Sequence, residues 1–405
     1  MPQNADHRFR DDHRTRWYGF ASMHLSQAAR DALDKLRAVL AKEVGPIMPR
    51  AWESATMPPS VRETLASLDL MRPEGVAEVE ADSTMFSGFR NYVLARTDAS
   101  VATMHNGQSG LFRATVRHGG APEQVAVLDP KVRSFALAGA FALTEPDHGS
   151  DIAGGLATTA RFDEAAGDGE GRWIIDGAKR WIGGASTADI IAVFARDVAD
   201  SQVKVFLVPS ESSGLSMDTM VGKAALRPMQ NSVIRFEEVA VPESARLREM
   251  NSWRDVNRIL RVMRSDVAWI ATGLQAGALD AALAYVRKRE QFGRSIGSCQ
   301  LVQEKLARIL GNLTASLGMV VQLSAQQDAG NYVDANSALA KMQTARMARE
   351  SVSLAREVHG GNGILLENDA ARFFADAEAV YSYEGTHEVI ALIVGPALTG
   401  ESAFV

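Results

Sequence analysis

Tyr383-Glu384-Gly385-Thr386-His387-Glu388, running into the apolar segment Val389 to Val394, sets a carboxylate between an aromatic residue and a glycine at a helix entrance. Thr386 is placed to cap the helix that Val389, Ile390, Leu392 and Ile393 predict by their spacing. An acid presented from such a turn is a candidate base. Alone the hexapeptide is a weak signal, because most glutamates are solvated and a Glu-Gly pair commonly does no more than end a helix. Its meaning depends on what surrounds it. Just upstream, helical spacing predicts segments over about 255–288, 302–329, 336–359 and 369–380, joined by short connections, which read as a bundle. Gly360-Gly361-Asn362-Gly363 supplies the αL-tolerant residues with which the third of these ends.

Further back the period changes. Ala140-Phe141-Ala142-Leu143-Thr144 reads as a strand leading into the turn-rich run Glu145-Pro146-Asp147-His148-Gly149-Ser150-Asp151. Trp173-Ile174-Ile175 and Arg180-Trp181-Ile182 flank Asp176-Gly177, which predicts a hairpin. Strands over 190–195, 203–208 and 233–236 follow, and Pro242 closes the region. Turns rather than helices separate these strands, so the expectation is a mostly antiparallel sandwich or barrel, not a Rossmann sheet. Gly167-Asp168-Gly169-Glu170-Gly171 is an acidic loop and no dinucleotide fingerprint, because it opens no helix. From about 25 to 133 the pattern is helical, punctuated by Pro46, Pro49, Pro58 and Pro59. The stretch from Arg96 to Gln108 is unusually rich in small and polar residues, and its His105 is given no role beyond pocket lining. The fold class expected is α+β and multidomain: an N-terminal helical domain (1–135), a middle antiparallel β domain (136–248) and a C-terminal four-helix bundle (249–405).

A chain of 405 residues, 46% hydrophobic and 23% charged, can bury a large core and divide into two or three domains. A net charge of −6 without a basic stripe argues against nucleic acid. The arginines from Arg8 to Arg16 are interrupted by Asp11 and Asp12 and read as a solvated arm. The single cysteine, Cys299, forms no internal disulfide, and no Cys/His cluster has zinc spacing, so no metal site is proposed. The first thirty residues contain no apolar run with a small-residue cleavage site, no later segment offers eighteen uncharged apolar residues, and Ser402-Ala403-Phe404-Val405 carries no peroxisomal or ER-retention address, so neither secretion by a signal peptide nor a membrane span is expected. The cytoplasm is the expected compartment, with no membrane partner.

Helices, a sheet domain and then a bundle ending in YEGTHEVIALIVGPALTG resemble the FAD-dependent acyl-CoA dehydrogenase family. The resemblance spans nearly the whole chain, through FALTEPDHGSD at Phe141 to Asp151, KRWIGG at Lys179 to Gly184, RKREQFG at Arg287 to Gly293, VHGGNGIL at Val358 to Leu365 and the hexapeptide at Tyr383. Within the family it is most similar to glutaryl-CoA dehydrogenases and plant short-chain acyl-CoA oxidases. The resemblance implies FAD between the sheet domain and the bundle. Phe141, Leu143 and Thr144 would line the flavin, Gly149 and Ser150 would let backbone approach cofactor or substrate phosphates, and Trp181 would pack on the ring system. Arg289 and Phe292 would reach the pyrophosphate of a neighbouring subunit's FAD, which the Gly360-Gly361 turn also approaches, so a homo-oligomer, dimer or tetramer, is implied. Thr386 and Glu388 belong with the cofactor set, and Ser150, Arg264, Ala102, Tyr383 and Gly385 with the substrate set. Sandwich core for Phe141 and Trp181, and a surface ion pair for Arg289, are the plain alternatives.

Glu384 would take the α-proton of an acyl-CoA while FAD accepts the β-hydride, with its own backbone N–H and a ribityl hydroxyl holding the thioester oxygen. Some relatives carry the base immediately before a family arginine. That arginine is Arg264, and Met263 before it cannot take a proton. Two departures shape the expectation. Ala102 stands where glutaryl-CoA dehydrogenases carry the arginine for a distal carboxylate, which disfavours glutaryl-CoA. Gly183 stands where most dehydrogenases carry a threonine, so a hydroxyl near flavin N5 is missing and space is opened. The expected reaction is dehydrogenation of a short or branched acyl-CoA to the trans-2-enoyl-CoA with electron-transfer flavoprotein as acceptor. An oxidase using O₂ is the alternative, and an inactive binding relative a third.

Overall fold

The computed structural model describes residues 23–165 and 171–403, so the Arg8–Arg16 arm, the acidic loop short of Gly171, and the last two residues lie outside it. Eight α-helices open the described chain: α1 (Gln27–Val39), α2 (Met48–Ser54), α3 (Pro59–Ser67), α4 (Glu78–Ala81), α5 (Thr84–Thr97), α6 (Ala99–Asn106), α7 (Arg113–Gly119) and α8 (Pro122–Arg133). The polar residues that interrupt this region's apolar spacing serve as helix ends. Ser83 Oγ accepts the Phe86 N–H (3.0 Å) to start α5, and Asp98 accepts the Ser100 N–H (2.8 Å) to start α6. Gln108 donates to the carbonyls of Val132 and Leu137 (2.8 Å each) and accepts from Gly139 N–H (2.9 Å), tying the helices to the first strand.

Seven strands form one sheet: β1 (Gly139–Ala142), β2 (Thr159–Asp163), β3 (Arg172–Gly183), β4 (Ile190–Asp197), β5 (Val203–Pro209), β6 (Leu215–Thr219) and β7 (Asn231–Pro242), with the one-turn helix α9 (Ile152–Gly155) between β1 and β2. Their order is β1-β4-β2-β3-β7-β6, with β5 against β4. Four of the pairings are antiparallel, as the turn-linked strands predict, but β1 and β2 both lie parallel to β4, so the sheet is mixed. The predicted Asp176-Gly177 hairpin is not there. β3 runs straight through it against β7, and the pair forms a bulge with Gly177 at φ 142°. Asp176 Oδ1 accepts the Glu238 N–H (2.7 Å) across that bulge, and a Cβ on Gly177 would meet Thr158 Cα at 2.7 Å.

The chain then returns to helices: α10 (Trp253–Lys288), α11 (Gln300–Asp328), α12 (Asp334–Val358), α13 (Asp369–Ser382) and α14 (His387–Thr399), with a two-stranded hairpin, β8 (Glu290–Gln291) and β9 (Arg294–Ser295), after the first. The core of the bundle is continuous with that of the N-terminal helices: Trp269 of α10 lies 4.8 Å from Phe89 of α5, ring to ring. By length and composition α10 and α11 could cross a bilayer, yet 78% of the apolar window in α10 lies inside the molecule. Asp376 of α13 fastens the three regions together, accepting from Trp52 Nε1 (3.1 Å) and from Leu226 N–H (2.6 Å).

Candidate active site

Glu384 sits on the two-helix turn that its sequence predicts. α13 stops at Ser382 and α14 starts at His387, with Thr386 Oγ1 accepting the Val389 N–H at 3.3 Å as the expected cap. Between them Glu384 adopts φ 56° and Gly385 φ 98°. The left-handed region costs a non-glycine residue about 1 kcal/mol and is commonly retained where function needs it. No acceptor among the described residues meets the Glu384 N–H. Tyr383 faces Thr103 of α6, hydroxyl to hydroxyl at 3.5 Å. Ala102 beside it is fully enclosed in the core, so Thr103 rather than Ala102 presents its side chain to the turn.

Three charged residues surround this turn. Arg264, one residue after the buried Met263 on α10, makes no ion pair among the described residues, and its Nε is buried without a partner. Lys341 of α12, 1% exposed, donates to the carbonyls of Tyr381 and Gly385 at 2.8 Å each. Asp266 of α10 is held by Asn91 Nδ2 at 3.1 Å. Burial drives the Glu384 carboxyl above the ordinary value for a glutamate, and Arg264 and Lys341 restrain the rise. Burial also lifts Asp266 to about 7 and lowers Lys341 to about 8. Sequence reasoning missed Lys341, Asp266 and Thr103. The first two sit at core-facing positions of their helices, but spacing alone does not tell that other helices close over them.

On the sheet side, Trp181 stands at a second bulge of β3 with φ 65° and is 53% exposed, a large aromatic surface on a rigid strand end rather than sandwich core. Phe141 is half-buried and packs edge-on against Phe194 at 4.8 Å, and Leu143 is buried beneath it. Thr144 accepts the Arg180 N–H through its carbonyl (2.8 Å) and keeps its side chain half-exposed. A buried ion pair that sequence reasoning left unassigned fixes this loop: Lys179 Nζ meets Glu145 Oε1 at 2.8 Å and the Leu143 carbonyl at 3.1 Å, while Glu145 accepts the N–H groups of Ala157 and Thr158. Gly149 and Ser150 lie exposed on the loop that follows. Beside Gly183 the expected space is filled, because a Cβ there would meet Met229 Cε at 2.6 Å.

The remaining predicted residues gather elsewhere. Arg289 ends α10, and Phe292 and Gly293 form the tip of the β8–β9 hairpin with φ 55° and 74°, Phe292 being 96% exposed. Gly360 (φ 59°) and Gly361 expose bare backbone nearby, since Asn362 Nδ2 donates to Tyr285 Oη of α10 at 3.0 Å. Arg264 and Arg289 are separated by about 37 Å along α10, at 1.5 Å per residue. Glu388 is exposed in the first turn of α14, its carboxyl held low by hydrogen bonds from its own N–H and from Thr386. Arg289, Phe292 and the Gly360 turn therefore form a second group, remote from Glu384 in the same chain.

The middle domain of the acyl-CoA dehydrogenases matches residues 140–239 and their C-terminal domain residues 253–399. The mitochondrial short-chain specific acyl-CoA dehydrogenase of Bos taurus is 28% identical over 382 residues, covering 93% of this chain and 91% of that protein. Glutaryl-CoA dehydrogenase from Mycobacterium smegmatis superposes with a TM-score of 0.85 at 32% identity over 95% of this chain and 97% of that one. A second structure of a glutaryl-CoA dehydrogenase from that organism, in complex with FADH2, gives a TM-score of 0.86 at 28% identity over 94% and 97%. With both domain matches in register with the sheet and the bundle, this chain belongs to the acyl-CoA dehydrogenase family of oxidoreductases.

Proposed function

We propose that this protein dehydrogenates a short or branched, uncharged acyl-CoA to the trans-2-enoyl-CoA, with Glu384 as the base. The observation that carries the reading is Glu384 itself, held in a left-handed turn with an unused N–H and a partly buried carboxylate. FAD, when bound between sheet and bundle, supplies the acceptor for the β-hydride. The residues present fit it: Trp181 offers an exposed ring on a fixed strand end, Thr144 a hydroxyl on a loop pinned by a buried ion pair, and Gly149-Ser150 accessible backbone. Burial favours the protonated form of Glu384, so its proton affinity lies above that of a solvated glutamate and suits a base that must take and later release a proton. Its free N–H can receive the thioester oxygen as negative charge develops there, and one such donor is worth about 10²–10³-fold in rate. Unpaired Arg264 is placed to organise the same mouth. Ala102, enclosed in the core, offers a distal carboxylate no cation there, and Arg264 is engaged electrostatically with Glu384 at the mouth, which together favour an uncharged acyl tail. Electrons then leave to an electron-transfer flavoprotein.

Glu384→Gln tests the reading. The variant is expected to retain FAD and bind butyryl-CoA while anaerobic flavin reduction slows by about 10²–10⁴-fold. Near-normal single-turnover reduction would remove Glu384 from the mechanism.

A further inference from the structure

We infer that Lys341 is a positioning residue: it fixes the turn that carries Glu384 and holds a positive charge beside that carboxylate. The inference rests on Glu384 being the base. Its geometry is that of a staple. The two carbonyls that Lys341 Nζ binds, of Tyr381 and Gly385, bracket Glu384 in the chain, and each bond is 2.8 Å long. The Tyr381 carbonyl belongs to the last turn of α13, where helical donors run out, and the Gly385 carbonyl belongs to a residue at φ 98° outside either helix, with no helical N–H to donate to it. A side chain from α12 thus does for this turn what a capping residue does for an ordinary helix end. It does so where the chain needs support, since Glu384 itself holds an unfavourable φ.

A lysine enclosed this fully is costly to keep charged unless its protons are used. Here two are accepted by the turn. The charged groups that act on it are Glu384 and Glu388, which favour its ammonium, and Arg264 of α10, which opposes it. The Tyr381 ring also stacks on His387 (4.9 Å) and lies 4.3 Å from the Arg349 guanidinium of α12, a further tie between this segment and that helix. Lys341 therefore acts on Glu384 twice: mechanically through the backbone, and electrostatically by favouring the carboxylate over the acid.

The test uses the FAD-loaded enzyme and Lys341→Met, with hydrogen exchange over residues 381–390 read beside the pH profile of anaerobic flavin reduction by butyryl-CoA. Exchange in that segment is expected to rise about tenfold, with the rest of α12 and α13 changed about twofold or less. Flavin reduction is expected to slow about 10- to 100-fold with butyryl-CoA affinity nearly unchanged, as misplacement of a reacting group predicts. Loss of a neighbouring cation raises the pKa of a carboxylate, so the acid limb of the profile should move to higher pH by about half a unit or more. Lys341→Arg, which keeps the charge, should return the acid limb to its parental position even where its bulk slows the reaction. An unchanged limb and unchanged local exchange in Lys341→Met would overturn the inference. So would faster exchange spread evenly over α12 and α13 with no shift of the limb, the mark of a merely structural residue. Lys341→Gln serves as the second uncharged variant, read by the same outcomes, if the methionine protein does not accumulate with FAD. A parent enzyme whose flavin no acyl-CoA reduces would remove Glu384 as base, while the exchange data would still judge the staple.

Discussion

A single methyl group decides how much room lies beside Gly183, for Met229 Cε stands where a side chain at 183 would begin. Gly183→Thr therefore displaces the end of a flexible thioether rather than filling a void, a small cost because that methyl group can swing aside. The variant is expected to melt close to the parent and to keep its FAD, as thermal melts and flavin absorbance would show, and a markedly lower melting temperature would show that Met229 cannot move aside. Peroxide formed per turnover in the variant then reads the effect of the added hydroxyl. Asp266 offers a second residue-level test. Its folded value of about 7 lies above the 3.8 of a solvated aspartate, so the native state binds this proton more tightly than the unfolded chain. The stabilisation is complete below about pH 4 and is lost as pH rises through about 7. Asp266→Asn should accordingly raise the melting temperature at pH 8 and have little effect at pH 4. A larger gain at pH 4 than at pH 8 would contradict the assignment. Neither Asp266 nor Lys341 could be recognised from sequence, since helical spacing tells which face a residue occupies but not whether other helices close over it.

At the scale of elements, the long helices were legible because their apolar spacing persists over many turns: the pattern over 255–288 is α10, Trp253–Lys288, to within two residues. The Thr386 cap was legible for the same local reason. β2 and β6 were not, because Thr-Ala-Arg-Phe-Asp and Leu-Ser-Met-Asp-Thr are short and mostly solvent-facing, and only pairing with β3 and β7 makes them strands. Asp176-Gly177 misled because a glycine at positive φ serves a bulge as readily as a turn, and the choice belongs to β7 across the sheet. The buried pair Lys179–Glu145 was likewise hidden inside two motifs whose glycines and aromatics draw the eye. Because it pins the Thr144 loop to β3, Lys179→Met leaves Glu145 buried and unpaired, a loss of about 3–5 kcal/mol. The expected outcome is a protein that unfolds at lower urea and releases its flavin on gel filtration. An unaltered urea midpoint would show that the loop is held by other means.

For the whole molecule, the spread of the predicted residues over two ends of α10 is the telling feature. Arg264, near Glu384, and Arg289, at the foot of the Phe292 hairpin, lie about 37 Å apart along α10, a separation expected to be too long for one cofactor to bridge within a chain. An aromatic ring 96% exposed at the tip of a tight hairpin is what a partner subunit would cover. Phe292→Asp is expected to lose FAD while its subunits still associate in light scattering, and a variant that keeps full flavin would refute the shared site. The same arrangement has a genetic consequence. With a site shared between subunits, a chain carrying Glu384→Gln and a chain carrying Phe292→Asp would each fail alone, yet in a mixed pair one composite site would receive both lesions and the other neither. Co-expression of two dead alleles should then restore up to about a quarter of the parental activity, the share of undamaged sites under random pairing. Heterozygous combinations of null alleles at this locus would be expected to complement or not according to which end of α10 each lesion strikes.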